Sequence, residues 1–230
     1  MHIRILVFFL LFLVARPSIS GVSFSQTRIV YEDGKLPTIT AINSGGQIYL
    51  LQAGVITTPD SKGATPFKVI PTISRLEGDS KSILRIHGDR VGLSSLPKDR
   101  ESVFYFFGTA IAAKPKDVEE GQVTSLSIGL RTVLKLFYRP MGIVGGPAEV
   151  FGALQAERVG TDLIIRNSTA YHATFSTLII DDKEMDFEYH PSMIAPYSEV
   201  RYKIGTKMNS VRWRLISDFG GETAEKKVIL

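Results

Sequence analysis

The chain reads as an all-β protein, two antiparallel β-sandwich domains in series behind a removable leader. Three observations point there. Short segments of alternating apolar and polar residues recur at spacings near ten to fifteen positions, bounded by Gly, Pro, Asn and Asp. No convincing amphipathic helix lies between them. Pro140, Gly142, Gly145, Gly146 and Pro147 crowd one short stretch near the middle, a composition shift of the kind linkers show.

The leader comes first. Arg4 precedes an unbroken apolar run from Ile5 to Val14, and Ser18, Ile19 and Ser20 stand before Gly21. A basic start, a short apolar core and a small-x-small site describe a secretory signal peptide over residues 1–20, cut after Ser20. The run is too short to anchor stably across a bilayer. What remains, Gly21 to Leu230, keeps 25 of the 27 basic residues and all 23 acidic ones, so the mature charge is 25 − 23 = +2. So small a charge gives no electrostatic support for a nucleic-acid or membrane-surface partner. There is no cysteine, hence no disulfide framework and no thiolate chemistry, although export would have permitted disulfides. Two units over 21–140 and 141–230 are each large enough to bury a core without staples.

In the first unit, Val22, Phe24 and Ile29 to Tyr31 read as one opening strand, ended by the turn signal Glu32-Asp33-Gly34. Thr38 to Ile42 alternates and stops at Asn43-Ser44-Gly45-Gly46, and Ile48 to Ile56 follows. Phe67 to Ile70 and Ile73 to Leu76 flank Pro71, which places that strand at a sheet edge because proline has no N–H to give a ladder. Ser82 to Ile86 alternates, and Val103 to Phe107 is dense in aromatics. The second unit offers Ala153 to Val159, Leu163 to Asn167, Ala173 to Ile180, Phe187 to Tyr189, Ser198 to Ile204, Val211 to Ile216 and Lys226 to Leu230, again sandwich-like.

The most unusual stretch is Ser125 to Pro140. Leu126, Ile128, Leu130, Leu134 and Leu136 occupy even positions, broken only by Thr132, so one strand face is apolar. Sixteen residues is long for a strand, since most run to about five or six. Taken alone, the alternation fits an ordinary sandwich core, and Lys135 and Arg28 fit surface charges.

No phosphate loop, nucleophile elbow, paired-histidine zinc motif or calcium loop occurs, so no catalytic residue, metal or cofactor is assigned. His87, His172 and His190 have no partner histidine at ligand spacing and read as ordinary side chains. Asp181, Asp182, Glu184, Asp186 and Glu188 enclose Lys183 without a turn glycine, and fit a solvated hairpin better than a hard-cation site.

Leu96-Pro97-Lys98-Asp99-Arg100-Glu101-Ser102-Val103-Phe104-Tyr105-Phe106 resembles the signature of the periplasmic pilus and fimbrial assembly chaperones. The resemblance continues at Lys135-Leu136-Phe137-Tyr138-Arg139-Pro140, at Gly21-Val22-Ser23 with Thr27-Arg28-Ile29-Val30-Tyr31, at Asn167-Ser168-Thr169-Ala170-Tyr171 and at Asp218-Phe219-Gly220-Gly221. These motifs stand in family order and cover most of the mature chain. The resemblance implies two immunoglobulin-like domains set at an angle with a cleft between them, and a periplasmic, non-enzymatic chaperone. Such a chaperone lends a strand to a pilus subunit lacking its own last strand, then delivers the subunit to an outer-membrane usher. By motif position, Arg28 and Lys135 would hold the subunit's terminal carboxylate. Leu126, Ile128 and Leu130 would be the donor-strand anchors, and Glu101, Arg139 and Asp218 an interdomain salt-bridge network. Self-association of the free chaperone is left open. Phe107 stands where the family usually has Asn, and Ala112-Ala113 where it has proline nearby. The loop from Ala112 to Thr124 is somewhat long, but the cysteine pair of long-loop members is missing, which favours the short-loop group. The rival reading from the residues is a secreted β-sandwich binding module, carbohydrate-binding or adhesive.

Overall fold

The computed structural model describes residues 21–61, 63–113, 129–205 and 208–230. The first sandwich is built from β1 (Val22–Phe24), β2 (Arg28–Glu32), β3 (Thr38–Asn43), β4 (Tyr49–Ile56), β5 (Phe67–Ile70), β6 (Ile73–Leu76), β7 (Lys81–Gly88), β8 (Ser102–Ala112) and β9 (Gly129–Arg139). A short helix, α1 (Arg90–Ser94), follows β7 and is capped by the Asp89 carboxylate, which accepts from the Gly92 N–H. One sheet has the order β1-β3-β7-β5 and the other β2-β9-β8-β4-β6.

Two strands change sheets. The expected single opening strand is broken at Ser25–Thr27: β1 pairs with β3, and β2 pairs parallel with β9. Hydrogen bonds from the Ser25 N–H to the Thr40 carbonyl and from the Thr40 N–H to Ser25 Oγ hold the crossover. The break lets Phe24 enter the core from one sheet and Ile29 and Tyr31 from the other. The chain crosses again at Pro71, between β5 and β6, each of which is an edge strand. Leu51, Leu84, Ile86, Phe106, Leu136 and Tyr138 lie at the centre of this core.

The second sandwich opens with a helix, α2 (Glu149–Ala153). It continues through β10 (Gln155–Val159), β11 (Asp162–Asn167), β12 (Ala173–Ile180), β13 (Lys183–Glu184), β14 (Met193–Ile194), β15 (Ser198–Lys203), β16 (Ser210–Leu215) and β17 (Lys226–Ile229). Its sheets run β10-β11-β15 and β13-β12-β16-β17, with β14 also pairing β12. The expected strand beginning at Ala153 starts instead at Gln155, because Val150 and Leu154 bury themselves through the helical turn. Phe187 to Tyr189 is a turn, not a strand, and Phe187 stacks on Phe175 at 6.2 Å. Of the acidic group, only Glu184 lies in a strand. Asp181 accepts from the Asn209 and Ser210 N–H groups, and Asp182 pairs with Arg212 at 2.6 Å. The core centres on Trp213, Leu163, Ile165, Leu178 and Val211.

One device occurs in both units. Buried Asn43 donates to the Gln47 and Glu77 carbonyls and accepts from the Gly45 N–H, closing the turn after β3. Buried Asn167 donates to the Tyr171 and Ala195 carbonyls and accepts from the Thr169 N–H, closing the turn after β11. An asparagine side chain satisfies three backbone groups that a tight buried turn would otherwise strand.

Candidate functional site

The site is organised by β9. Between Lys135 and Tyr138 this strand is paired on both sides, with β2 in parallel and β8 antiparallel. Between Gly129 and Leu134 it is paired with β8 alone, and among the described residues nothing covers the other edge. The expected strand over 125–140 is thus described from Gly129 to Arg139, and Leu126, Ile128 and the loop residues 114–124 lie outside the described residues. Along the apolar face the environment changes steadily. Leu136 is fully buried, Leu134 packs against the core from its margin, and Leu130 is 65% exposed.

At the boundary between the two halves, β2 begins at Arg28, directly opposite Lys135. Arg28 donates from Nη1 to the Ile216 carbonyl at 2.9 Å, a bond into the second sandwich, and its guanidinium lies 5.5 Å from the Phe137 ring centroid. Burial lowers its pKa, against the nearby Asp218 and Glu101 carboxylates that favour the charge. Burial also lowers the Lys135 pKa, and the Arg28 charge lowers it further. Neither cation has a carboxylate within ion-pair distance among the described residues. They share an open hollow of about 450 Å3 with Thr27, Tyr105 and Leu134 on one side and Ile216 and Gly220 on the other. Two neighbouring, partly desolvated cations without an anion are suited to a carboxylate, whose arrival would relieve both the desolvation and the mutual repulsion.

The three network residues meet. Arg139 donates from Nε to Glu101 at 2.6 Å and, in a two-pronged fork, from both Nη atoms to Asp218 at 2.7 Å each. The Glu101 side chain is 2% exposed, so it depends on these partners for its solvation. Burial lowers the Arg139 pKa, but the two carboxylates outweigh it and hold the group firmly protonated. A further member is His172, read from sequence as an ordinary side chain. Its backbone N–H donates to Glu101 Oε2 at 2.8 Å, its Nδ1 lies 3.0 Å from the same oxygen, and its ring packs on Phe137. Adjacent Tyr171 donates to the Gly145 carbonyl and lies under the Arg139 guanidinium. The one sequence signal for His172 was its position directly after the Asn167–Tyr171 motif.

The turn bearing Asp218 also brings Gly220 against the first sandwich. Its φ is +82°, and a Cβ there would meet Thr27 Oγ1 at 2.2 Å. Glycine is required both by the backbone and by the closeness of the neighbour.

Residues 21–144 match the family model described as pili and flagellar-assembly chaperone, PapD N-terminal domain, and residues 149–227 match that for the pili assembly chaperone PapD, C-terminal domain. The chain is 32% identical over 218 residues to the probable fimbrial chaperone YadV of Escherichia coli strain K12, covering 89% of this chain and 88% of the relative. It is 30% identical over 215 residues to the chaperone protein LpfB of Salmonella typhimurium, covering 90% and 89%. Among solved structures, the Salmonella enterica SafA pilin in complex with the SafB chaperone aligns with a TM-score of 0.78 at 26% identity, over 94% of this chain and 99% of the matched one. The Escherichia coli chaperone DraB aligns at 0.74 with 30% identity, over 92% and 97%.

Proposed function

This chain belongs to the pilus-assembly chaperone family, and we propose that it works by lending the Gly129–Leu134 edge of β9, with the residues just before it, to a pilus subunit that lacks a strand. It is a chaperone for fimbrial subunits acting with an outer-membrane usher, and the matches do not favour a carbohydrate-binding or adhesive module. Fimbrial chaperones of this family are periplasmic. On this reading residues 1–20 are the leader that exports the chain, and the domain boundary falls after Pro140. No step of the proposed work breaks or forms a covalent bond.

The observation that carries the reading is the half-paired strand. A subunit missing a strand exposes an apolar groove and unpaired backbone groups, both aggregation hazards. The open edge of β9 offers the missing hydrogen bonds, and Leu126, Ile128 and Leu130 at alternate positions would fill successive pockets. Burying three large aliphatic side chains contributes roughly 5 to 9 kcal/mol before ordering costs, at about 1.5 to 3 kcal/mol each. That holds a complex yet leaves room for a better-fitting strand to displace it. Arg28 and Lys135 would take the subunit's terminal carboxylate, fixing the register on which alternate placement depends. Glu101, Arg139 and Asp218, with His172, would hold the two sandwiches at the angle that shapes this anchor.

Co-expression with a fimbrial subunit tests the reading. Arg28→Ala and Lys135→Ala should each sharply reduce recovery of soluble subunit from the periplasm, while Leu130→Asp removes co-purification and leaves the chaperone folded. Unchanged recovery from the two cation variants would overturn the anchor.

A further inference from the structure

Arg131 lies on the same strand face as Lys135, four residues toward the open end of β9. It is exposed, and among the described residues no carboxylate pairs with it. It is nevertheless held in place. Its guanidinium sits 4.5 Å from the centroid of the Phe107 ring. In the sheet, Phe107 pairs with Gly54 on β4, and Thr109, two residues on, pairs with Arg131. The Phe107 ring lies so closely over Gly54 that a Cβ on that glycine would stand 2.7 Å from the ring edge. Glycine, ring and guanidinium therefore form a stack on the outer face of the sheet. Stacking a guanidinium through its flat face leaves its in-plane N–H donors free.

Resting on the strand-lending reading above, we propose that Arg131 is a specificity-determining residue that selects subunits carrying an acidic side chain about four residues before their C-terminus. The direction and spacing follow from β2. That strand already occupies the edge of β9 from Lys135 onward, in parallel. A guest strand with its carboxylate at Arg28 and Lys135 must approach along the vacant edge from the Gly129 end, in line with β2 and equally parallel to β9. Strands advance about 3.3 Å per residue, so the level of Arg131 lies roughly 13 Å upstream of that carboxylate, four residues back. Even spacing keeps that guest residue on the face of Arg131, whereas the residue three back points to the other face.

The test uses the mature full-length chaperone and synthetic twelve-residue peptides of alternating Val and Thr, each ending in a free carboxylate. Binding is followed by fluorescence anisotropy. Glu at the fifth residue from the end, four before the last, should bind about fivefold more tightly than Gln there, a preference that fades in high salt. Glu at the fourth residue from the end, three before the last, should give no gain. Arg131→Gln should erase the preference, Arg131→Glu should transfer it to a Lys-bearing peptide, and Phe107→Ala should weaken it. Equal binding of the Glu and Gln peptides, with free acids still preferred to C-terminal amides, overturns the role of Arg131 and leaves the anchor standing. If amides bind as well as acids, or no peptide binds, the anchor falls and takes with it the reference point that places the acidic residue.

Discussion

The two halves of β9 are one strand with opposite fates. From Lys135 to Tyr138 the backbone is bonded on both edges, and from Leu136 to Arg139 the side chains are core or ion pair. From Gly129 to Leu134 one edge has no partner among the described residues and the apolar face emerges toward solvent, ending at Leu130. The sequence pattern hardly changes between them. What differs is whether β2 lies alongside, so the boundary is set by where β2 begins, at Arg28. Apolar alternation thus identifies a face that needs covering, and tertiary pairing decides who covers it.

The largest expected effect breaks the inner half at its end. Arg139→Ala strands the Glu101 carboxylate and should cost about 3 to 5 kcal/mol by urea unfolding. A value under about 1 kcal/mol would show that the network does not stabilise the fold. Next comes the direct contrast within one face. Leu136→Ala should cost about 2 to 5 kcal/mol, whereas Leu130→Ala should stay within about 0.5 kcal/mol in the free protein and weaken only subunit binding. Equal costs would mean that the two halves are not different in kind.

At the boundary, Lys135→Met should raise the free chaperone's stability by about 0.5 to 1 kcal/mol while subunit capture is lost, because a charge kept for a partner is a burden without one. A gentler test of the same residue is pH. The Lys135 pKa lies below the ordinary lysine value, so both folded and unfolded chains carry this charge at low pH and the burden is then complete. It lifts as pH rises through the lowered pKa toward 10.5, and free-state stability from this group rises with it. Carboxylate binding, which needs the protonated form, should weaken over the same window. Lys135→Arg should flatten that decline in a binding titration.

Much of this was legible in sequence because it is local. The alternation from Leu130 to Leu136 and the edge placement around Pro71 need only neighbours. Glu101, Arg139 and Asp218 were reached through motifs, since residues so far apart in sequence meet only by folding. The split of the opening strand was hidden because Val22–Phe24 and Ile29–Tyr31 are equally apolar, and only pairing with β3 or β9 distinguishes them. Phe187 to Tyr189 misled because an aromatic packing on Phe175 from a turn looks the same in sequence as one packing from a strand. Asn43 and Asn167 perform the same task in each sandwich, yet one of the two carbonyls that each binds, that of Glu77 or of Ala195, comes from a distant segment, so the shared role does not show as a repeat in the residues themselves.

The turn from Ser217 to Gly221 touches the first sandwich with two of its members, Asp218 on Arg139 and Gly220 beneath Thr27. It belongs to neither core. The turn therefore ties the angle between the sandwiches to a buried ion network: a one-residue insertion there would draw Asp218 away from Arg139 and unsettle the packing of the domains and the solvation of Glu101 together.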